Sequence, residues 1–556
     1  MIIKALRFCI YTVTALVLVS GCTDLQLAGS ISETTNGGVV GAIVDQGGAP
    51  AGQTQVVLLP ADYDPVKHSA IVSADTTDSL GNYTFSKIAA GDYVIQATHI
   101  YKRTSVLIWG IHFDGRIDTV APDTLRRPGS VKVMLPAGAD AVKGYVYIPG
   151  SVVFAFLNNR SDFVTLDSVP AGMVAEVSYA SITTSAVSVI RYGALVTSQD
   201  TTTIWNPAWK YARNFFLNTS ETGANVTGTV AGFPVLVRLN SGNFDFSHAQ
   251  TAGGDIRFTK ADGTPLPYEI ERYDAGLHRA EIWVKADTVY GNDSSHFITM
   301  YWGNPAASSE SNGSAVFDTG NGFQGAWHLG ESDSLAADAT GNRYDGTGYS
   351  TASIKGIIGK ARHFNGASSY IQMKGTAPQS RLNFPMNGRY TISAWVYHDT
   401  LADSVTYLIA GKGELQYFMK TFGLAQSTPQ HEHQWEFTEY HGNDTWQAAT
   451  LTPAVAKTWT HLVGIRDGSN QFLYVNGVLV MAGYRTFGTG QTAVPRDTSD
   501  DFSIGAFLRP VIAWDQGYAF FSGAIDEVGV SSIPRSADWI KLSYMNQKEE
   551  DALVKW

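Results

Sequence analysis

Cysteine is nearly missing from this chain, with two in 556 residues, at positions 9 and 22. A disulfide framework cannot be built from them, so the fold must rest on ordinary apolar cores. Charge is sparse as well: 16% of residues are charged, and acidic side chains outnumber basic ones by 50 to 39. A net charge of −11 argues against nucleic acid or anionic membrane surfaces as partners. Beyond residue 22 no apolar run reaches the roughly 20 residues of a spanning helix. Glycine-rich phosphate loops, zinc-ligand spacings and a Gly-x-Ser-x-Gly elbow are also missing. In their place stand 55 glycines, 26 tyrosines, 26 phenylalanines and 13 tryptophans, a composition of many short strands joined by turns.

The N-terminus carries Lys4 and Arg7, then an apolar stretch from Cys9, then Val19-Ser20-Gly21-Cys22. A basic start, about a dozen apolar residues and small residues before a cut site describe an export signal. The run resembles the lipobox of bacterial lipoproteins, which implies removal of residues 1–21 and lipidation of Cys22. Cys9 would leave with the leader. Losing Lys4 and Arg7 moves the charge from −11 to −13. Residues 22–36 are polar and aperiodic, a tether.

Between Gly/Asn/Asp turns, Tyr83 and Phe85, then Tyr93 and Ile95, alternate as half-buried strands do. The stretch Asp78-Ser79-Leu80-Gly81-Asn82-Tyr83-Thr84-Phe85 with Ala90-Gly91-Asp92-Tyr93-Val94-Ile95 resembles the carboxypeptidase-regulatory-like, prealbumin-like β-sandwich, placed at 37–125. Residues 126–200 read as a worn second copy, in which Val169-Pro170-Ala171-Gly172 parallels Ile88-Ala89-Ala90-Gly91, with one larger irregular domain as the alternative. Aromatic density then rises through Trp205, Trp209, Trp283 and Tyr301-Trp302-Gly303-Asn304-Pro305. Residues 201–330 resemble a bacterial surface domain of unknown function that often precedes a jelly roll.

Residues 331–556 resemble a laminin-G-like, concanavalin A-like jelly roll. Its landmarks run in order: Asp338-Ala339-Thr340-Gly341-Asn342, Tyr390-Thr391-Ile392-Ser393-Ala394-Trp395-Val396, Phe472-Leu473-Tyr474-Val475-Asn476-Gly477 and Gly523-Ala524-Ile525-Asp526-Glu527-Val528. Asn476-Gly477 is a two-residue hairpin signal. Ile392, Ala394 and Val396 alternate with Thr391, Ser393 and Trp395, so stacked sheets would bury one of the two sets. The expected fold is all-β, tandem sandwiches followed by the jelly roll, with a short helix from Ser536 to Tyr544.

Jelly rolls of this shape also carry glycosidases, which need two carboxyls about 5–5.5 Å or about 6.5–9.5 Å apart. The nearest run holds Glu432, Glu436 and Glu439, and a strand would put the last two on opposite faces. Asp526 and Glu527 are sequence neighbours and are expected to point apart, so they do not read as an acid/base couple. The family resemblance implies a structural calcium site at Asp338, Asn342 and Asp526. A turn-shaping role for Asp338 and Asn342 is the plainer alternative. His431, His433 and His441 form a histidine cluster without a cysteine. Trp435, Tyr440, Trp446 and Trp514 are the expected sugar-stacking rings.

The expectation is a non-enzymatic protein of the bacterial cell envelope, lipid-anchored in the outer membrane. Its C-terminal head would bind a polysaccharide or surface glycan. A structural envelope protein contacting other proteins, or a diverged glycoside hydrolase, are the alternatives.

Overall fold

The computed structural model describes residues 37–556 apart from 69–70, 136–143, 158–162, 206, 378–379, 386–387, 403–404, 414–416, 423–432, 442–443, 469, 485–499 and 509–518. Cys9, Cys22, His431, Glu432 and Trp514 lie outside the described residues. Half of the described residues are strand and 5% are helix, an all-β protein built from packed sheets. No helix among the described residues is long and apolar enough to cross a membrane.

The first unit pairs a sheet centred on Gly38–Val44 with a four-stranded one ordered Ser73–Thr76, Gln55–Pro60, Gly91–His99, Thr104–Phe113. Val39, Ile43, Tyr83 and Phe85 interdigitate with Val56, Leu58 and Ile95 to form its core. The strand Gly91–His99 is buried on both faces over Tyr93–Ala97, where the polar Gln96 is satisfied by accepting from the Val152 N–H. Val94 and Leu107 point the other way, into the core of the next unit, where Val131, Val146 and Leu166 meet them. The Tyr145 hydroxyl donates to Asp64 (2.6 Å) across the same junction.

In that second unit Thr201–Ile204 runs parallel to Gly129–Met134. The unit therefore extends beyond the expected limit at 200, because those residues complete its three-stranded sheet. Its other sheet does not end with it. Tyr192 bridges to Tyr211, so Val187–Val196 continues into Tyr211–Leu217, Phe297–Trp302 and Arg257–Thr259. Those strands face a sheet of Val230–Asn240, Arg279–Val289 and Tyr268–Asp274 and enclose the core of the third unit.

The last unit stacks two eight-stranded sheets. Ile392, Ala394 and Val396 are fully buried between them, the alternation expected from sequence. Asn476 and Gly477 close the hairpin Val475↔Val478 with φ of 50° and 77°, the left-handed pair that Asn-Gly tolerates. Trp395, on the opposite face, is covered by the helix Ala537–Gln547, where it stacks on Tyr544. Ser536 caps that helix by accepting from the Trp539 N–H.

Both ends of the expected jelly-roll segment are displaced. Phe323–Trp327 pairs with Ser522–Ser531 and belongs to the jelly-roll sheet although it precedes 331. At the other end, Val554–Lys555 returns to pair with Phe216–Leu217 of the third unit, and Leu542, Leu553 and Val554 enter that unit's core. The jelly roll is thus enclosed by the third unit. Asn546 seals the join, accepting from the Leu236 N–H (2.7 Å) and donating to the Leu236 carbonyl (3.0 Å).

Candidate functional site

The sheet face of the third unit that turns towards the jelly roll carries Leu236 and Trp283, which pack with Phe317, Ala326 and Ile358 into a small core between the units. Polar side chains converge beside it. Glu269 and Glu271 lie on Tyr268–Asp274, whose register slips between Ile270 and Arg272, leaving Glu271 as an unpaired extra residue. Across the junction, Ser522–Ser531 slips opposite Ser393/Trp395, and Glu527 sits in that bulge with φ of 50°. His328 follows directly on the strand Phe323–Trp327. Two bulges from two units therefore aim two glutamates at one imidazole.

The His328 Nδ1 lies 2.9 Å from Glu527 Oε2 and 3.8 Å from Glu271 Oε2, and Nε2 lies 3.2 Å from Glu269 Oε2. The Trp283 ring stacks on the imidazole, and its Nε1–H donates to Glu271 (2.8 Å). Glu281 is taken up separately by a two-pronged pair with Arg272. Backbone comes close as well: a Cβ at Gly359 would stand 2.9 Å from Glu271, and one at Gly313 2.6 Å from Glu269. Glycine at these two places is what lets the carboxylates in.

Burial opposes a charge on His328, yet Glu527 and Glu269 outweigh it and hold the imidazole well above its ordinary pKa. Burial first, and the Glu527 charge second, push the Glu271 carboxyl up to about 8. Asp526 is raised well above the carboxylate range for the same two reasons. Its Oδ2 accepts from the Ile357 and Ile358 N–H groups, while Oδ1 is buried without a partner among the described residues. Asp526 and Glu527 keep separate hydrogen-bond partners, the Ile357/Ile358 N–H groups and His328, while the bulge at Glu527 interrupts the regular ladder.

The expected calcium residues occupy two places. The Asp338 carboxylate accepts from Ala326 N, Thr340 N, Thr340 Oγ1 and Tyr344 N at 2.9–3.0 Å. The Asn342 amide donates to the Gln324 carbonyl. The turn is complete with protein donors, and a calcium ion there would have to displace one of them. Asp526 makes its own contacts at Ile357 and Ile358.

Among the expected sugar-stacking rings, Trp435 needs correction. It is 2% exposed and packs in the jelly-roll core against His398, because residue 435 faces inward with Phe437. Tyr440 and Trp446 lie on the adjacent strands Gln434–His441 and Asp444–Pro453, and Trp514 is outside the described residues. Glu436 pairs with Lys420 on the neighbouring strand (3.4 Å), whereas Glu439 pairs with the fully buried Arg466 of the facing sheet (3.1 Å). His433 donates to the Ala402 carbonyl.

Residues 365–541 match the model of the concanavalin A-like lectin/glucanases superfamily. The C-terminal unit is a concanavalin A-like jelly roll. Residues 252–330 match a domain of unknown function (DUF2341). No curated protein sequence matches the chain. Among solved structures, domain 4 of an extracellular arabinanase from Geobacillus stearothermophilus, in complex with arabinotriose, is 19% identical, with TM-score 0.29, covering 40% of this chain and 97% of that one. The binding domain of Paraclostridial Mosquitocidal Protein 1 is 11% identical (TM-score 0.30; 40% and 52% covered). A botulinum neurotoxin type C structure is 10% identical (TM-score 0.32; 41% and 51% covered). The chain spans about half the length of these two toxin chains.

The jelly-roll hairpin, landmark order and inward alternation were all readable in sequence. The His328 cluster was not. Its members are scattered over 269–527, and no spacing rule joins residues that two β-bulges bring together.

A second feature is an open groove of about 790 Å³ where the second and third units join. Tyr192 and Tyr211 stack there (5.2 Å), with Trp302 against Tyr211 (5.6 Å), and Arg213 and Asp245 on the lining.

Proposed function

We propose that this chain is a carbohydrate-binding protein of the bacterial cell surface, held by a lipid on Cys22 and binding polysaccharide without cleaving it. The observation that carries the reading is the concanavalin A-like jelly roll, a superfamily of lectins and glucanases. Binding rather than hydrolysis is favoured by the glutamates of the strand Gln434–His441. Glu436 and Glu439 lie on opposite faces, each held in an ion pair, whereas a hydrolytic pair must flank one bond. Tyr440, Trp446 and Trp514 are the proposed stacking rings on the jelly roll. The groove beside Tyr192 is a second surface in which aromatic and charged groups meet, although the Tyr211 ring in it is itself stacked on His248, Tyr192 and Trp302. Affinity is expected to be modest, since flat platforms bury little area and much of the gain offsets lost freedom.

The test is calorimetric titration of the full chain with a panel of plant and bacterial polysaccharides, alongside an assay for new reducing ends. Binding without reducing-end release supports the reading. Release that vanishes in Glu436→Gln, or no binding to any polysaccharide, overturns it.

A further inference from the structure

The junction between the third unit and the jelly roll assembles Glu269, Glu271 and Glu527 around one imidazole, and Asp526 precedes Glu527 on the same strand. The neighbouring cations are engaged elsewhere: Arg272, which also feels the Glu271 charge, forms its two-pronged pair with Glu281, and Arg238 donates to the backbone carbonyls of Asn546 and Gln547. Buried carboxylates need a counter-charge, protons, or a bound cation. One carboxylate oxygen, Asp526 Oδ1, is fully buried and unpartnered, yet it feels the charges of Glu527, Glu271 and His328.

The geometry points to a site for one first-row divalent transition cation, with Glu271, His328 and Glu527 as its protein ligands. One potential ligand atom from each of the three lies within 4.8 Å of the other two. Ligands bound at about 2.0–2.2 Å in a tetrahedral zinc site stand about 3.3 Å apart. The Nδ1–Glu527 and Nδ1–Glu271 separations of 2.9 and 3.8 Å bracket that value, so small side-chain shifts admit the ion. An imidazole nitrogen in the set selects zinc or its first-row neighbours over calcium, which takes oxygen ligands. Glu269 supplies the outer partner. Accepting from Nε2–H at 3.2 Å, it fixes the tautomer that leaves the Nδ1 lone pair for the metal. Trp283 does the same for Glu271 through its indole N–H.

The ion would join two units: Glu271 comes from the strand Tyr268–Asp274, and His328 and Glu527 from jelly-roll strands or their ends. It would act as a clamp across the junction.

The experiment uses the full chain stripped with EDTA, then titrated with zinc by calorimetry and thermal denaturation. Metal content is measured after gel filtration. Expected are one zinc per chain and a raised Tm. Glu271→Gln and His328→Gln, on opposite sides of the junction, should abolish stoichiometric binding, and Glu269→Gln should weaken it about 10- to 100-fold. The double variant His431→Ala/His441→Ala should bind as the parent does. If the cluster variants fail to fold, X-ray absorption at the zinc edge of the parent decides: a single imidazole among oxygen ligands supports the site. No retained zinc, binding unchanged by Glu271→Gln and His328→Gln, or two or more imidazoles around the metal overturns it.

Discussion

Trp283 and His328 stack with their ring centroids 5.6 Å apart and their planes 21° from parallel, although one belongs to the third unit and the other to the jelly roll. The pair marks a junction that is packed like a core, with Trp283 1% exposed. A cavity of about 80 Å³ beside it is lined by Trp283, Glu527, His461 and the C-terminal helix.

Trp435→Ala is expected to destabilise the jelly roll by about 3–5 kcal/mol, the cost of a large cavity in a core, while Trp435→Phe recovers most of the loss. Urea denaturation of the three proteins measures it. A fully stable Trp435→Ala would contradict the buried placement.

Asp338→Asn is expected to cost about 2–4 kcal/mol, because an amide cannot accept from all the donors that now converge on the carboxylate. Melting curves with and without a calcium-selective chelator separate this role from the proposed calcium. A turn held by protein donors alone gives superimposable curves, and a chelator-induced fall in Tm that Asp338→Asn abolishes would support calcium at this turn.

Acid should weaken the jelly roll through His461. Burial alone lowers its pKa to about 3, so the folded state holds it neutral while the unfolded chain protonates near 6.5. Its contribution is fully present above about 6.5 and is lost towards pH 3, at about 1.4 kcal/mol per pH unit. His461→Phe should flatten the stability profile between pH 6.5 and 4.5. An unchanged slope in that variant would place the acid sensitivity elsewhere.

Asn546→Ala should loosen the junction, since it strips partners from both the N–H and the carbonyl of the fully buried Leu236. About 1–3 kcal/mol per orphaned group is expected, read as a lower Tm. A Tm equal to that of the parent would mean the two hydrogen bonds do not hold the units together.

Cys22→Ala is expected to move the protein from the membrane to the soluble fraction, because stable anchoring needs the acyl chains that only this cysteine would carry. Fractionation and mass spectrometry of the N-terminal peptide test it.

The sequence made some of this legible and hid the rest for identifiable reasons. Period-two alternation exposed Ile392, Ala394 and Val396 as core, and Asn476-Gly477 announced its turn, because both signals are local. Trp435 misled because aromatic richness does not say which strand face a ring occupies. The place of Glu527 beside His328 was hidden because alternation assumes a regular ladder, and a single left-handed residue breaks it. The unit limits at 200 and 330 moved because Thr201–Ile204 and Phe323–Trp327 pair with partners far away in sequence.

The return of Val554 and Lys555 to Leu217 and Phe216 sets an order of events. A chain made from its N-terminus can complete the jelly roll while the unit before it still waits for an edge strand. Until residues 553–556 emerge, Phe215 lacks Trp556 beside it and Leu553 is missing from the core. The third unit therefore closes after the jelly roll, although most of it is synthesised before. A product cut short ahead of residue 553 would carry a finished jelly roll on an open neighbour, the kind of exposed core that quality-control proteases find.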